Sequence, residues 1–484
     1  MSTTSSAARA SSSRRWLALG VIAAAQFMVI MDTSIIGVAL PRMQQELGFT
    51  ASGLSWVFNA YVVAFGGVLL LGGRLSDLFG ARRIFSLGWV VLAAGSLIAG
   101  LAGNVPVELA GRAVQGAGSA LIAPAALTLL FMTFGSSPRE LTKALALYGA
   151  AAPAGGTAGV FLGGVLTEYA SWPWVFFINV PLAAVVLAVT RSVVPAGVTR
   201  RGSLDLASAA TVTAGLTAVV FAVVRAPQAG WGSASTLTAG LCGLGLLGLF
   251  VVRQARSREP LMRLGIFTAP NLAASNAAQF LLGAAWVPMF FFLNLYLQQV
   301  LGLGAFASGA ALLPLTVTIM AGMILAAPQL IARFGLKAMT VAGLATLAGG
   351  LVWLSFLRPD SSFTVDLLPA SLVTAAGMAM AFIPSLGMAL SPAAPEEGGL
   401  ASGIVNTNYQ VGSALGLAAM TAVATLFGAG QAGNAVALTD GFSAGLLGAA
   451  GIAAAGAVLA AVWLRTPPAA SETTHAGEPE HAAA

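Results

Sequence analysis

The feature that most constrains this chain is a nearly unbroken succession of apolar segments from Trp16 to Arg465. Of its 484 residues, 58% are hydrophobic and only 8% are charged, whereas a soluble domain carries roughly 25% charged residues. One membrane-spanning helix needs ~20 consecutive apolar residues. The sequence therefore predicts an all-α polytopic membrane protein and excludes an ordinary soluble domain.

Loops that contain Gly, Pro or charged residues divide the apolar region into fourteen predicted spans. They lie near residues 16–40, 51–72, 84–103, 107–133, 142–167, 174–194, 204–224, 234–252, 271–297, 306–327, 338–357, 366–390, 400–427 and 441–464.

The distribution of cations tests this count and sets the orientation. With the N-terminus in the cytoplasm, 18 of the 22 Lys and Arg residues fall in cytoplasmic segments, and only Arg42, Arg225 and Arg358 lie outside. Positive residues concentrate on the cytoplasmic side of membrane proteins. We therefore expect both termini to face the cytoplasm. The cations are spread over short loops and form no cluster, so the net charge of +6 does not indicate a nucleic-acid partner.

Two short basic loops suggest an internal repeat. The segment from Gly73 to Arg83 and the segment from Pro328 to Lys337 share Leu, Phe, Gly and a following cation at an offset of 255 residues. Chance similarity is the alternative interpretation. Paired repeats around a site near the bilayer midplane are common in transporters.

The repeat predicts the domain organisation. Two six-helix halves cover residues 16–194 and 264–465, and residues 195–263 hold two inserted helices with cytoplasmic linkers. Residues 1–15 are rich in Ser, Ala and Arg, and residues 466–484 are rich in Pro, Ala and Glu. Both ends are predicted to be disordered and cytoplasmic.

The loop after the second span contains a dense pattern of Gly, Asp and Arg. It reads G-x-L-x-D-x-x-G-x-R-R and is formed by Gly73, Asp77, Gly80, Arg82 and Arg83. Glycine permits close helix approach and a tight turn, and an Asp can cap the N-terminus of a neighbouring helix. The pattern resembles the loop 2–3 motif of the major facilitator superfamily, and this resemblance implies a cytoplasmic gate; a simple basic loop that only sets orientation is the alternative.

The fourth and fifth spans carry two further motifs. In the fourth span the motif is R-x-x-Q-G-x-G, which is formed by Arg112, Gln115, Gly116 and Gly118. In the fifth span the motif is G-V-x-x-G-G, which is formed by Gly159, Val160, Gly163 and Gly164. Together with the first-span segment MDTSIIGVALP at residues 31–41, these motifs resemble the fourteen-span drug:proton antiporters of the major facilitator superfamily over nearly the whole chain.

The resemblance implies a major facilitator fold of two six-helix halves plus two inserted helices in a bacterial inner membrane. It also implies that the first-span acid and the fourth-span Arg couple transport to protons. In the fifth span, Val160 stands where the family usually has Pro at the antiporter hinge. A proton-coupled importer of a small solute therefore stays open as an alternative.

Asp32 is the one acid, and Arg112 the one cation, that the predicted spans place well inside the membrane. An ionised Asp at a helix centre costs ~2.5–3.5 kcal/mol on insertion scales, so it needs a partner or a water-filled cavity. At 1.5 Å per residue, Asp32 lies roughly 12 Å and Arg112 roughly 9 Å below the outer surface. They could pair. Burial favours the neutral acid and the Arg favours the carboxylate, so Asp32 is predicted to carry the proton. A purely structural ion pair is the alternative.

Polar residues in otherwise apolar spans are candidates for a substrate cavity. In span 13, Asn406, Gln410 and Ser413 are spaced i, i+4 and i+7 and share one helical face. Interhelical hydrogen bonding is an equally good explanation. Weaker candidates of the same kind are Gln26, Asn59, Tyr61 and Asn294.

The residue inventory limits the chemistry. His475 and His481 both lie in the C-terminal tail, and Cys242 is the one cysteine, so neither a metal site nor any other cofactor is indicated within the membrane. No phosphate-binding G-x-x-x-x-G-K-[ST] loop occurs, so ATP does not drive transport within this chain. An enzyme is not expected, and a non-transporting sensor would need a larger soluble domain. We expect a proton-coupled exporter of amphipathic small molecules whose partners are substrate, protons and the lipid bilayer, and a monomer is compatible with this.

Overall fold

The computed structural model describes residues 2–49, 56–196, 206–257, 271–390, 398–431 and 433–465. Over these ranges the secondary structure is helical, with short turns and no strands. Twelve helical segments are long and apolar enough to cross a membrane. The predicted all-α polytopic architecture is thus confirmed, while the predicted C-terminal tail at residues 466–484 lies outside the described residues.

Seven helices form the first part of the chain. They are α1 (Ser2–Leu47), α2 (Trp56–Phe79), α3 (Ala81–Gly100), α4 (Val105–Phe134), α5 (Pro138–Tyr169), α6 (Trp174–Phe177) and α7 (Asn179–Val193).

Nine helices follow, and several of them end or begin in a short π-helical turn. They are α8 (Leu206–Ala229), α9 (Ala234–Arg256), α10 (Leu272–Leu295), α11 (Ala305–Ala311), α12 (Leu313–Ala321), α13 (Ala327–Leu354), α14 (Leu368–Leu390), α15 (Gly398–Ala424) and α16 (Ala435–Trp463).

Helix α1 extends further than the sequence predicts. It begins at Ser2, whereas residues 1–15 were expected to be disordered. Further along the helix, the guanidinium of Arg15 donates to the carbonyl of Thr133 at 2.8 Å and to the carboxylate of Glu140 at 2.9 Å. The Ala- and Ser-rich extension continues a helix that is already nucleated by the apolar span, and Ala has the best helix propensity.

Side-chain caps determine where several helices begin. The Asn104 side chain accepts from the amide of Val107 at 3.1 Å, and Pro106 occupies the first turn of α4. Ser137 accepts from the amide of Glu140 at 3.4 Å and precedes Pro138 at the start of α5. These residues satisfy amide groups that have no intrahelical partner.

The structure confirms a bundle of many membrane-spanning helices, but the number of apolar segments among the described residues is twelve and not the predicted fourteen. One of the twelve apolar segments runs from Ala307 to Leu354 and is 48 residues long, roughly 72 Å at 1.5 Å per residue, against ~30 Å for the hydrocarbon core. Its path is interrupted at Gly335, where φ is 81°. The predicted seventh span is a shorter apolar stretch at Ala207–Val223.

The helix packing repeats between the two parts of the chain. Helix α1 packs on α5 and α7, as α10 packs on α15 and α16, and α3 packs on α4 as α13 packs on α14. The turn after α2 contains Gly80 with φ 90°, and the turn within α13 contains Gly335 with φ 81°. These two glycines are separated by the offset of 255 residues seen in the sequence. The packing therefore agrees with the predicted internal repeat.

We call α1–α7, which form six apolar segments, the first six-helix set, and we call α10–α16 the second six-helix set. The two sets meet along two seams. Helix α2 contacts α15, where a Cβ added at Gly403 would lie 3.5 Å from the Cα of Gly73. Helix α5 contacts α11 and α12, where the hydroxyls of Thr157 and Thr316 lie 2.6 Å apart. The inserted helices α8 and α9 pack on each other, and α8 also contacts α2 and α15. The insert thus lies against the first seam.

Candidate functional site

The ion pair predicted between the first and fourth spans is present. The Nη1 atom of Arg112 lies 2.7 Å from Oδ2 of Asp32, and both side chains are fully buried. Helix α1 supplies the acid and α4 supplies the base. The structure therefore brings together the two residues on which the sequence-based hypothesis rests.

Three further polar side chains complete a buried network around the carboxylate. Gln115 donates to Oδ1 of Asp32 at 3.0 Å and to Oγ of Ser96 at 2.7 Å. Asn179 donates to the same Oδ1 at 2.6 Å and to Ser96 at 3.0 Å. Nη1 of Arg112 donates to Oε1 of Gln115 at 2.6 Å. Helices α1, α4 and α7 thus meet at a single carboxylate, and α3 joins the network through Ser96.

The rest of the Arg112 side chain is held by α2 and α6. Its Nε donates to the carbonyl of Val57 at 2.9 Å. Its guanidinium carbon lies 4.7 Å from the ring centroid of Tyr61 and 6.0 Å from that of Phe176, which are cation–π distances. Tyr61, predicted as a cavity residue, is only 2% exposed and belongs to this network instead. Gly116 lets α4 approach the Tyr61 backbone, since an added Cβ would overlap its carbonyl.

The carboxylate of Asp32 accepts three hydrogen bonds from neighbouring helices. The donors are Arg112 and Gln115 on α4 and Asn179 on α7. Removing one partner of a buried ion pair costs about 3–5 kcal/mol because the other charge stays buried. The charge of Asp32 thus contributes to holding α4 and α7 against α1.

The glycines predicted as an antiporter hinge lie between α5 and α1. A Cβ at Gly159 would lie 2.8 Å from the carbonyl of Met31, and one at Gly163 would lie 2.6 Å from that of Ile35. These contacts are on both sides of Asp32 along α1. Gly164 has open space around its Cα, with no atom within 4 Å of an added Cβ. Two of the three predicted hinge glycines therefore form the close α1–α5 contact.

The residues of the predicted cytoplasmic gate lie at the end of α2 and the start of α3. Gly73 lies at the seam with α15, and Gly80 forms the turn. Asp77 is 7% exposed. Arg82 donates to the carbonyl of Val194 at 3.1 Å, which ties the turn to the end of α7, and Arg83 is exposed. Their conformational role stays a prediction.

The remaining predicted cavity residues are half-buried. Gln26 is on α1 and Asn59 is on α2, while Asn294 accepts from Gln298 at 3.0 Å on α10. On α15, Asn406 donates to the carbonyl of Ser402 at 2.9 Å, which is a bond within its own helix. Gln410 is half-buried on the same helix.

Interhelical hydrogen bonding, the alternative considered for span 13, occurs in the second six-helix set between residues that were not paired from sequence. Asn408 on α15 donates to Asn276 on α10 at 3.0 Å, and Gln279 donates to Ser385 on α14 at 3.0 Å. These pairs show that interhelical hydrogen bonding accounts for part of the polarity in these spans.

Three buried polar residues near the ion pair were also not identified from sequence. Ser96 and Asn179 contact Asp32 or its partners, and Glu108 is fully buried one turn before Arg112. A polar side chain within an apolar span was the available signal for Asn179. For Glu108, the signal was its i, i+4 spacing from Arg112; its position near a predicted span end obscured its depth.

The fold and the buried charge network define a polytopic helical transporter. Residues 22–417 match the Major Facilitator Superfamily, and the chain belongs to this family.

Several relatives with similar sequences carry descriptions that concern antibiotics. The chain is 38% identical to the cephamycin export protein CmcT of Amycolatopsis lactamdurans over 93% of this chain and 94% of that protein. It is 36% identical to the puromycin resistance protein pur8 of Streptomyces alboniger, over 85% and 82% of the two chains. It is 33% identical to the lincomycin resistance protein of Streptomyces lincolnensis, over 86% and 85%.

Solved structures with the same fold are more distant in sequence. The human organic anion transporter MFSD10 superposes with a TM-score of 0.65 at 16% identity, over 92% of this chain and 99% of that one. The proton:xylose symporter XylE superposes with a TM-score of 0.64 at 16% identity, over 93% and 95%. These similarities support the fold.

Proposed function

We propose that this protein is a proton-coupled exporter of amphipathic small molecules, antibiotics among them, that works by alternating access. Substrate enters between the two six-helix sets, and rocking of one set against the other exposes it to the opposite side of the membrane. The proton gradient supplies the free energy. The protein is a transporter, and its family carries out transport and not catalysis.

The observation that carries this proposal is the buried Asp32–Arg112 pair with its Gln115 and Asn179 donors. A titratable acid inside a membrane domain is costly unless it serves a pathway or a binding site. Here the network around the acid connects four helices of one six-helix set. Proton binding therefore alters contacts that hold that set together, which is the coupling that antiport requires.

Relatives support the choice of substrate class. Their descriptions name a cephamycin, puromycin and lincomycin, which are chemically unlike one another. To the wall of the proposed substrate site, the second six-helix set contributes the polar residues Asn276, Gln279 and Asn408. It also contributes the aromatic pair Phe382 and Tyr409, whose ring centroids lie 5.9 Å apart. Adaptable apolar walls with a few polar groups suit amphipathic ligands.

The membrane topology belongs to the same proposal. The interruption at Gly335 divides the 48-residue segment into two crossings, and the stretch at Ala207–Val223 adds another, which gives fourteen. The halves comprise residues 16–194 and 264–465, with the insert at residues 195–263 between them. Both termini face the cytoplasm, and the membrane is the inner membrane of a bacterium. The partners are substrate, protons and lipid, and the working unit is a monomer.

Within this scheme the gate residues Gly73, Asp77, Gly80, Arg82 and Arg83 close the cytoplasmic end of the first seam. Gln26, Asn59, Asn294, Asn406 and Gln410 contact substrate. Gly159 and Gly163 allow α5 to slide along α1 as the halves rock.

The test uses the purified protein in liposomes with an imposed pH gradient and radiolabelled puromycin as the probe. Right-side and inverted insertion are separated by protease accessibility of the termini. We expect puromycin to move against its gradient in the direction opposite to protons, and an uncoupler to abolish the movement. Movement of probe and protons in the same direction would instead support a proton-coupled importer. A rate of puromycin movement that does not depend on the pH gradient would contradict proton coupling.

A further inference from the structure

Glu108 is a buried carboxyl that the Asp32 network does not use. It lies in the first turn of α4, its side chain is fully buried, and neither carboxyl oxygen has a hydrogen-bond partner among the described residues. A buried carboxylate without a partner is strongly disfavoured, because the desolvation penalty is several kcal/mol per ion. Such a group is stable when it carries a proton.

A helix N-terminus alone does not account for this residue. The positive end of the helix dipole stabilises an acid in the first turn only weakly. This stabilisation is less than the penalty for burying an unpaired carboxylate. The first amides of α4 already have a cap, since Asn104 accepts from Val107. The burial of Glu108 therefore needs another explanation.

The number of buried charges near Glu108 offers an explanation for its burial. Asp32, Glu108 and Arg112 are all fully buried, and only one of the three is a cation. If both acids were ionised, the site would hold a net negative charge in a medium of low dielectric constant. Two acids that share one cation hold one proton between them and titrate as a coupled pair. In this structure Asp32 has the donors, so the proton lies on Glu108.

The geometry of α4 allows the cation to change partners. Residues four apart lie on the same helix face with Cβ atoms ~5–6 Å apart, and an acid four residues before a base is the favourable order. Long helical side chains point toward the N-terminus, which for Arg112 is the direction of Glu108. The Nη2 atom of Arg112 has no hydrogen-bond partner among the described residues. A donor and two acceptor oxygens thus lie one turn apart without partners.

We propose that Glu108 is a second proton-binding carboxyl and that Arg112 exchanges between Asp32 and Glu108. This inference rests on the proposed proton-coupled transport and adds a second proton site to it. In the arrangement seen here Arg112 pairs with the Asp32 carboxylate and Glu108 is neutral. When the proton passes from Glu108 to Asp32, Arg112 pairs with the Glu108 carboxylate. Asp32 then releases the proton to the cytoplasmic side, and Glu108 takes a new one from the outer side as Arg112 returns.

Few other charged groups can affect this exchange. On the helices packed against α4, the Tyr61 ring of α2 lies beside the guanidinium, and the cations Arg82 and Arg83 of α3 are at the opposite end of the bundle. The described side chains of α15 include no charged residue. The charged residues towards the same end as Glu108, which are Arg42 and Glu46 of α1 and Glu168 of α5, are exposed. The buried field at Glu108 is therefore set by Asp32 and Arg112.

Infrared spectroscopy of the full-length protein in lipid at neutral pH tests the inference without any substrate. The carbonyl stretch of a protonated carboxyl is separate from that of a carboxylate. The set comprises wild type, Glu108→Gln, Asp32→Asn and, as the matched control at an exposed acid, Glu168→Gln. We expect wild type to show a protonated buried carboxyl that Glu108→Gln loses and Glu168→Gln retains. Asp32→Asn should also lose it, because the freed Arg112 pairs with Glu108 and ionises it.

The Asp32→Asn variant leaves Glu108 in place, so the inference stays testable if Glu108→Gln does not fold. Retention of the full protonated band in Asp32→Asn would overturn the exchange of partners. Retention of the band in Glu108→Gln would overturn the assignment of the proton. If the bands behave as expected but puromycin movement ignores the pH gradient, the second proton site stands and the proposed transport function fails.

Discussion

The Nη1 atom of Arg112 bonds Oδ2 of Asp32 at 2.7 Å and Oε1 of Gln115 at 2.6 Å. Arg112 offers only donors, so the Gln115 amide must turn its oxygen to the guanidinium and its nitrogen to Asp32. Three donations, from Arg112, Gln115 and Asn179, end on the carboxylate. A change in the charge of Asp32 therefore disturbs all three bonds.

Asp32→Asn is expected to abolish proton-driven movement of puromycin while the protein still folds. Asn keeps the shape of Asp but cannot bind and release a proton, and it removes the charge that Arg112 pairs with. The matched control is Asp440→Asn, because Asp440 is exposed on α16. Transport by both variants would be measured in liposomes at equal protein density. Undiminished pH-dependent transport in Asp32→Asn would remove this residue from the proton pathway.

Arg112→Lys is expected to lower transport at least about tenfold despite conserving the charge. The guanidinium donates to Val57 from Nε and to Asp32 and Gln115 from Nη1, and a Lys ammonium cannot match that fork. Hydrogen bonds to charged groups are worth about 1.5–3 kcal/mol each. Arg139→Lys, at an exposed position on α5, should transport like wild type. Equal rates for the two variants would mean that only the charge of Arg112 matters.

Gly163→Ala should destabilise the protein by about 1–3 kcal/mol, since the new methyl group would overlap the Ile35 carbonyl on α1. Its neighbour provides the control: an added methyl at Gly164 meets no atom within 4 Å. Thermal unfolding of both variants in detergent measures the difference. If the two substitutions have the same effect, close packing of α1 on α5 does not depend on this glycine.

Gly335→Ala should cost about 1–3 kcal/mol because its φ of 81° and ψ of 166° suit only glycine. The residue is exposed and an added Cβ there has space, so the cost would come from backbone strain alone. Gly349→Ala, also on α13 with open space around it, should be neutral or slightly stabilising. The thermal unfolding midpoints of the two variants test this expected difference in stability. Equal midpoints would argue against the interruption at Gly335.

Periodicity and hydropathy were sufficient to predict the helical class and most helix positions, because a membrane span leaves a long apolar signature. The pairing of Asp32 with Arg112 followed from depth along two helices. The contacts of Arg15 with Thr133 and Glu140 were not predicted, because these residues are more than a hundred positions away. Such long-range contacts leave no local pattern.

The partners of the ion pair were harder to predict for the same reason. Ser96 and Asn179 come from α3 and α7, and nothing in their own segments indicates that they meet at Asp32. Tyr61 was assigned to a cavity because polarity alone does not distinguish a residue that faces substrate from one that stacks on a buried cation. The rotation of a helix about its axis decides which of these two surroundings a side chain has. The sequence of an apolar span indicates that rotation only weakly.

The four buried charged side chains in the described part of the chain are Asp32, Asp77, Glu108 and Arg112, and all of them lie in the first six-helix set. The two similarly packed sets of helices thus differ in their buried charges. Under the proposed mechanism, energy conversion is confined to one set, so mutations in the other set would change the substrate range without altering the residues that couple transport to protons. Descendants of such a chain can acquire resistance to new compounds through changes in α10–α16 alone.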